Sequence, residues 1–221
     1  MRLLLQPRVL NLATIAALIS AVACYPRLSM WQHRPGPMWY SEAAIFVCCI
    51  MLWGFVFAWH TAYTNRPVFV FKLELGLVVA ATAAGLVMTA VYHLWLDPLL
   101  KAKLPEDYPP DLPHWFATLS FALFFNQLFS TFAPFDWLMR LVKNRWVAMS
   151  LTALFYAGVQ ALKIHQLAVP MSPLLLASQL ALQVMGGFLA VAFYLRGGIF
   201  LVWWWSFLFQ SRLLLDLIGT A

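Results

Sequence analysis

The chain has 221 residues, 63% of them hydrophobic and only 10% charged, with 11 Trp and 18 Phe. Apolar stretches of about 18 residues or more recur from end to end, which excludes a separate soluble domain and defines a polytopic membrane protein. The formal net charge of +6 is not a nucleic-acid signal, because the Lys and Arg residues sit in short loops where they orient helices.

In chain order, seven apolar segments are predicted to cross, at about 9–25, 41–63, 68–95, 115–135, 146–162, 173–195 and 199–218. The first follows Arg2 and Arg8 and runs into Ala21-Val22-Ala23-Cys24, a pattern shared with secretory leaders. It is read as a short first transmembrane helix. The second, SEAAIFVCCIMLWGFVFAWHTAY, is near the roughly 20 residues that a 30 Å hydrocarbon core requires. The fifth is short, and its end extends toward His165. Proline-rich connectors (Pro35 and Pro37, Pro98, Pro109-Pro110 and Pro113, Pro170 and Pro173) fall between segments, where a missing amide donor does no harm. Cys24, Cys48 and Cys49 have no disulfide or zinc spacing and read as small hydrophobes. The whole is one integral membrane domain, residues 1–221. Residues 1–114 form three spans and an acidic, proline-rich loop; residues 115–221 form four further helices.

Seven crossings place eight Lys and Arg residues on the side of the N-terminus and six on the other. This bias puts the N-terminus and the basic loop RLVKNR in the cytoplasm. The loop LPEDYPPDLPHW then lies outside, and the membrane expected is a bacterial inner membrane.

His60 and His93 are the histidines placed to touch a cofactor, each near a span end. The seven-span count puts them at opposite faces, which argues against a shared haem. Lys72 and Glu74 are expected to snorkel at the start of the third span. Arg212 and Asp216, four residues apart, are expected to pair in the last one. Trp203, Trp204 and Trp205 cover most of a helix circumference, so at least one should face lipid, a partner subunit or an apolar cofactor.

LFFNQLFSTF (123–132) sets Asn126 and Gln127 side by side in an oily run, and an unpaired amide in such a medium costs about 4–8 kcal/mol. The layout from here on is a polar pair, the basic stretch RLVKNRW, then Tyr156-Ala157-Gly158-Val159-Gln160, then the turn LRGGIF at 195–200. It resembles the core of the CAAX-protease and bacteriocin-processing family, the Abi-type intramembrane proteases. That family typically carries a Glu-Glu pair, an Arg, a Phe-x-x-x-His motif and a late His. The resemblance places these on Asn126, Gln127, Thr131, Tyr156 to Gln160, and Phe207, with a polar partner near Gln210 or Ser211. It implies a helix bundle in which these positions converge on a former active site.

None of these residues retains the family's chemistry. A carboxamide has no usable basicity, and Phe207 cannot donate to an oxyanion. The resemblance therefore implies a pseudoenzyme, with Asn126, Gln127, Gln160 and Gln210 as interhelical glue. The function favoured by the sequence is a non-catalytic accessory subunit of a larger membrane complex, pigment- or quinone-containing. Its partners would be other integral membrane subunits and lipids, with any lipid, quinone or pigment seated on aromatic surfaces. Alternatives are an intramembrane peptidase and a membrane protein that binds a small ligand or a lipid.

Overall fold

The computed structural model describes residues 3–31, 36–167 and 170–219; the side chains of Glu106 and Asp216 lie outside that description, as do Arg2, His33, Arg34 and Pro35. The described secondary structure is all helical. Among the described residues, six helices are long and apolar enough to cross a membrane. They are α1 (Pro7–Met30), α2 (Met38–Thr64), α3 (Leu75–Leu100), α4 (Leu112–Val142), α5 (Arg145–Gln166) and α6, which runs Pro173–Gln210 and reaches Leu215 through a short α7 (Arg212–Gly219).

The helix ends follow from local chemistry. Asp111, Asn144 and Ser172 each accept a backbone N–H in the first turn of α4, α5 and α6, satisfying donors that the helix cannot. Asn65 and Lys143 close α2 and α4 in the left-handed conformation, both at φ 56°, a common way to stop a helix. α3 begins at Leu75, so Lys72 and Glu74 precede the helix rather than lying inside a span. α4 is longer at both ends than the sequence suggests, and it thereby includes Asp136.

α6 is two antiparallel arms. Gly198 has φ 64° and ψ −164°, a region open almost only to glycine. A straight helix would hold Gly186 and Trp205 about 28 Å apart at 1.5 Å per residue. Instead a Cβ placed on Gly186 would lie 3.8 Å from the Trp205 ring, and the rings of Phe193 and Trp205 have centroids 6.2 Å apart. The loop after α2 seals this reversal. The N–H of Ile199 donates to Val68 O (3.1 Å), and Arg66 Nη1 donates to Leu195 O (2.9 Å).

At the opposite end, Lys103 donates to Pro170 O and Lys163 pairs with Asp107. The bundle thus has a reversal end and an acidic-loop end. Between them the helices pack through small residues. Ala13, Ala17 and Cys24 of α1 are fully buried with Cys49 and Val56 of α2, and Trp53 Nε1 donates to Ser20 Oγ at 3.0 Å. Close backbone approach and interhelical hydrogen bonds of this kind hold helices together where lipid removes the hydrophobic drive. Gly85 of α3 serves the same purpose: a Cβ there would stand 3.0 Å from Leu208 on the second arm of α6.

Candidate functional site

The run that carries Asn126 and Gln127 is not a regular α-helix. Two π-helical turns, Ala122–Asn126 and Leu128–Phe132, follow each other within α4. A third, Tyr92–Leu96, lies in α3 just before Asp97. Such turns insert a residue into the helical register and frequently mark functional sites. Local satisfaction comes from side chains: the Leu123 carbonyl accepts the Trp203 indole N–H at 2.9 Å, and Ser130 Oγ donates to Asn126 O.

The widened register sends the two amides in different directions. Gln127 is buried; its Nε2 donates to Ser206 Oγ (2.9 Å) and its Oε1 accepts from Thr131 Oγ1 (3.0 Å). Asn126 instead opens into a cavity of about 370 Å³ at the acidic-loop end. Tyr156, Gln160 and Gln210 line the same space. Of the positions singled out by the resemblance, four therefore share one cavity, while Gln127 and Thr131 tie α4 to the second arm of α6. Phe207 packs at ring distance from Trp115 and Trp204. The expected amide-to-amide bonding is not seen: among the described residues, no hydrogen bond joins the side chains of Asn126, Gln160 and Gln210.

Two further cavity amides escaped the sequence reading. Gln179 and Gln183 lie one turn apart on the first arm of α6 and both line the cavity. Gln179 is only 5% exposed, and its Oε1 has no hydrogen-bond partner. The signal was present as two glutamines at i, i+4 in an apolar helix, which places both on one face.

The charges around the cavity are largely committed. Asp97, only 3% exposed, accepts from Arg212 Nε at 3.1 Å and from the Tyr108 hydroxyl at 2.8 Å. Asp97 therefore lies in the last turn of α3 and partners Arg212; the expected pairing of Arg212 with Asp216 falls outside the described side chains. Burial, and then the adjacent Asp97 charge, push the Tyr108 phenol well above its usual range, so it stays a protonated donor. Asp97 thus lines the cavity as a carboxylate. Its oxygens are already occupied by a guanidinium and a phenol, which leaves it a poor general base.

A second polar group lies at the reversal end, outside the cavity. His60 Nδ1 stands 2.8 Å from Asp136 Oδ1, and the Tyr194 hydroxyl donates to Asp136 Oδ2 at 2.8 Å. His60 and Asp136 are 0% exposed. His60 therefore cannot present itself to a surface pigment, and the enclosed group has no path for a substrate. His93 lies in the π turn of α3, far along the bundle from His60. Among the described residues no group of three or more His, Cys, Asp or Glu comes together to hold a metal ion.

The tryptophan block faces mostly inward. Trp205 is 4% exposed, and Trp203 packs on Phe124 and Phe200; only Trp204 is exposed, at 40%. Trp204 is thus the outward-facing member of the three, and its Nε1 is already bonded to Thr82 Oγ1. Comparison with protein-family models, with curated proteins and with solved structures finds no match for this chain.

Proposed function

We propose that this chain is a non-catalytic, seven-pass membrane protein that binds a small polar molecule or a lipid headgroup in the amide-lined cavity. The observation that carries the reading is the convergence of five amide side chains, Asn126, Gln160, Gln179, Gln183 and Gln210, on one cavity. Gln179 Oε1 is buried without a donor, at a cost of about 1–3 kcal/mol, so this wall of the cavity is not optimised for packing alone. Ligand sites are typically concave, with a few convergent polar groups. The scaffold is read as a relative of the Abi-type core, supported by the meeting of Asn126, Tyr156, Gln160 and Gln210 where the resemblance implies a catalytic site. The second arm of α6 is read as the seventh crossing, with the N-terminus and the reversal end in the cytoplasm of a bacterial inner membrane.

Purification in mild detergent, followed by mass spectrometry of extracted small molecules, tests this. The expected result is one stoichiometric polar molecule or lipid that is lost from Gln160→Leu and Gln183→Leu proteins that still fold. Identical inventories from wild type and variants would sink the reading.

An accessory-subunit role is the second reading. It is favoured by an apolar groove of about 400 Å³ between α2, α4 and α5, where Trp137 and Phe155 are 45% and 40% exposed. Stoichiometric co-purification of large membrane subunits, lost on Trp137→Ala, is its expected signature.

A further inference from the structure

At the reversal end lies a second pocket of opposite character, about 320 Å³ in volume, with three arginines in its wall and no carboxylate. Arg66, Arg145 and Arg196 come from the loop after α2, the start of α5 and the turn of α6. None of the three is paired with a carboxylate among the described residues. The one acid of α4, Asp136, is sealed in the core against His60 and Tyr194. From this geometry we infer that the pocket binds the phosphate of an anionic glycerophospholipid.

The site is partly built before any anion arrives. Arg66 is held by its donation to Leu195 O, and its backbone N–H meets Thr64 Oγ1 at 3.2 Å. Arg145 lies with Cζ 5.1 Å from the centroid of the Trp146 ring, which is itself stacked on Phe188 (6.3 Å, 15°). Guanidinium groups fit phosphate oxygens bidentately. Arg145 also opens α5, a helix of 22 residues, whose N-terminal dipole end favours negative charge. Three like charges lining one pocket favour an anion bound among them.

The pocket's remaining wall decides the source of the phosphate. Met139, Met149, Phe188 and Ala192 line it together with the arginines, and Trp146 has the amphipathic ring that settles at headgroup depth. A free phosphate would have no use for the apolar wall, whereas a lipid lays its acyl chains there. Basic pockets between transmembrane helices bind anionic headgroups in this way.

The test uses the full chain in nanodiscs of equimolar phosphatidylcholine and phosphatidylglycerol, with retained lipids counted by native mass spectrometry. Wild type should retain phosphatidylglycerol preferentially. Each arginine neutralised should lower that preference roughly fivefold, from the surface energy of one basic residue. The variant Arg145→Gln/Arg196→Gln spares the Arg66 bond that braces the reversal, and its thermal melt in pure phosphatidylcholine should match wild type. Lys143→Gln, whose side chain does not line the pocket, should keep the preference. Equal enrichment in wild type and the double variant would overturn the inference. Displacement of phosphatidylglycerol by millimolar inorganic phosphate would overturn the lipid assignment in favour of a free anion.

Discussion

His60 and Asp136, 76 residues apart in sequence, meet at 2.8 Å with both side chains at 0% exposure. The contact joins α2 to α4, and the Tyr194 hydroxyl on the other carboxylate oxygen adds the first arm of α6. Removing one partner of a buried, hydrogen-bonded pair leaves the other unsatisfied, at about 1–3 kcal/mol and more for a charged group. Asp136→Leu strips the partner from both His60 and Tyr194 and should therefore be more damaging than His60→Leu, which leaves Asp136 with its Tyr194 donor. Tyr194→Phe, which strips one hydrogen bond from a group still held by His60, should cost about 1–3 kcal/mol. Thermal unfolding in nanodiscs orders the three; a neutral His60→Leu would refute the coupling of α2 to α4 through this group.

The missed Asp136 shows what limited the sequence reading. Each of the six long helices overlaps at least one of the seven apolar windows, the last two windows falling on the two arms of α6, because bilayer thickness makes length and composition informative. LRGGIF gave the turn now seen at Gly198. Asp136 was lost because the fourth segment was ended at 135, one residue short, before a helix that continues to Val142. Pro98 reads as a connector residue, yet proline is tolerated in the first turn of a helical piece, and Asp97 and Pro98 are helical. The divergence of Asn126 and Gln127 depends on π turns, and a 3.6-residue period cannot register them. The resemblance groups Asn126, Tyr156, Gln160 and Gln210, which line one cavity; Gln179 and Gln183 carry a signal in their i, i+4 spacing, whereas the pairing of Arg212 with Asp97 depends on tertiary placement.

Gly198 should tolerate no side chain. At φ 64° and ψ −164° a non-glycine residue carries about 1–3 kcal/mol of strain. A Cβ would also stand 2.6 Å from Val68 O, a backbone atom that cannot rotate away. Gly198→Ala should lower the melting temperature clearly. Gly158→Ala is the counterpart: the position is helical, exposed and has nothing within 4 Å of an added Cβ. It should stabilise by about 0.5–1 kcal/mol. Equal effects from the two would contradict the reversal geometry.

Arg212 and Asp97 should behave as a coupled pair. Arg212 also lies with Cζ 4.0 Å from the Phe209 ring centroid, and its Nη1 donates to Phe209 O. Arg212→Met leaves a carboxylate that is 3% exposed without its countercharge, at about 3–5 kcal/mol. Adding Asp97→Asn should restore part of that loss, since the amide carbonyl still accepts from Tyr108. A double-mutant cycle read by chemical or thermal unfolding checks this, and additive effects would mean the pair is not coupled.

Gln179 is expected to cost stability for the sake of binding. Replacing a buried, unpaired acceptor with an apolar side chain of similar size removes a penalty of about 1–3 kcal/mol. Gln179→Leu should therefore melt higher than wild type while losing the molecule held in the cavity. A variant that is both less stable and fully loaded would show that this amide serves packing instead.

The number of crossings can be read from the side on which new cysteines react. With Cys24, Cys48 and Cys49 replaced, single cysteines at Lys143 and Arg196 mark the reversal end, and those at Lys101 and Ile218 mark the other. All four positions are exposed. A membrane-impermeant maleimide added to intact cells should label one pair, and the second pair should react only after lysis. The informative position is 218, because the second arm of α6 and α7 together span 199–219, with Gly219 the last described residue. At 1.5 Å per residue that stretch reaches about 30 Å, the thickness of the hydrocarbon core. Labelling of position 218 together with 101 fits an arm that crosses. Labelling together with 196 would mean that the arm folds back within the bundle, leaving six crossings and moving the amide cavity to mid-membrane depth.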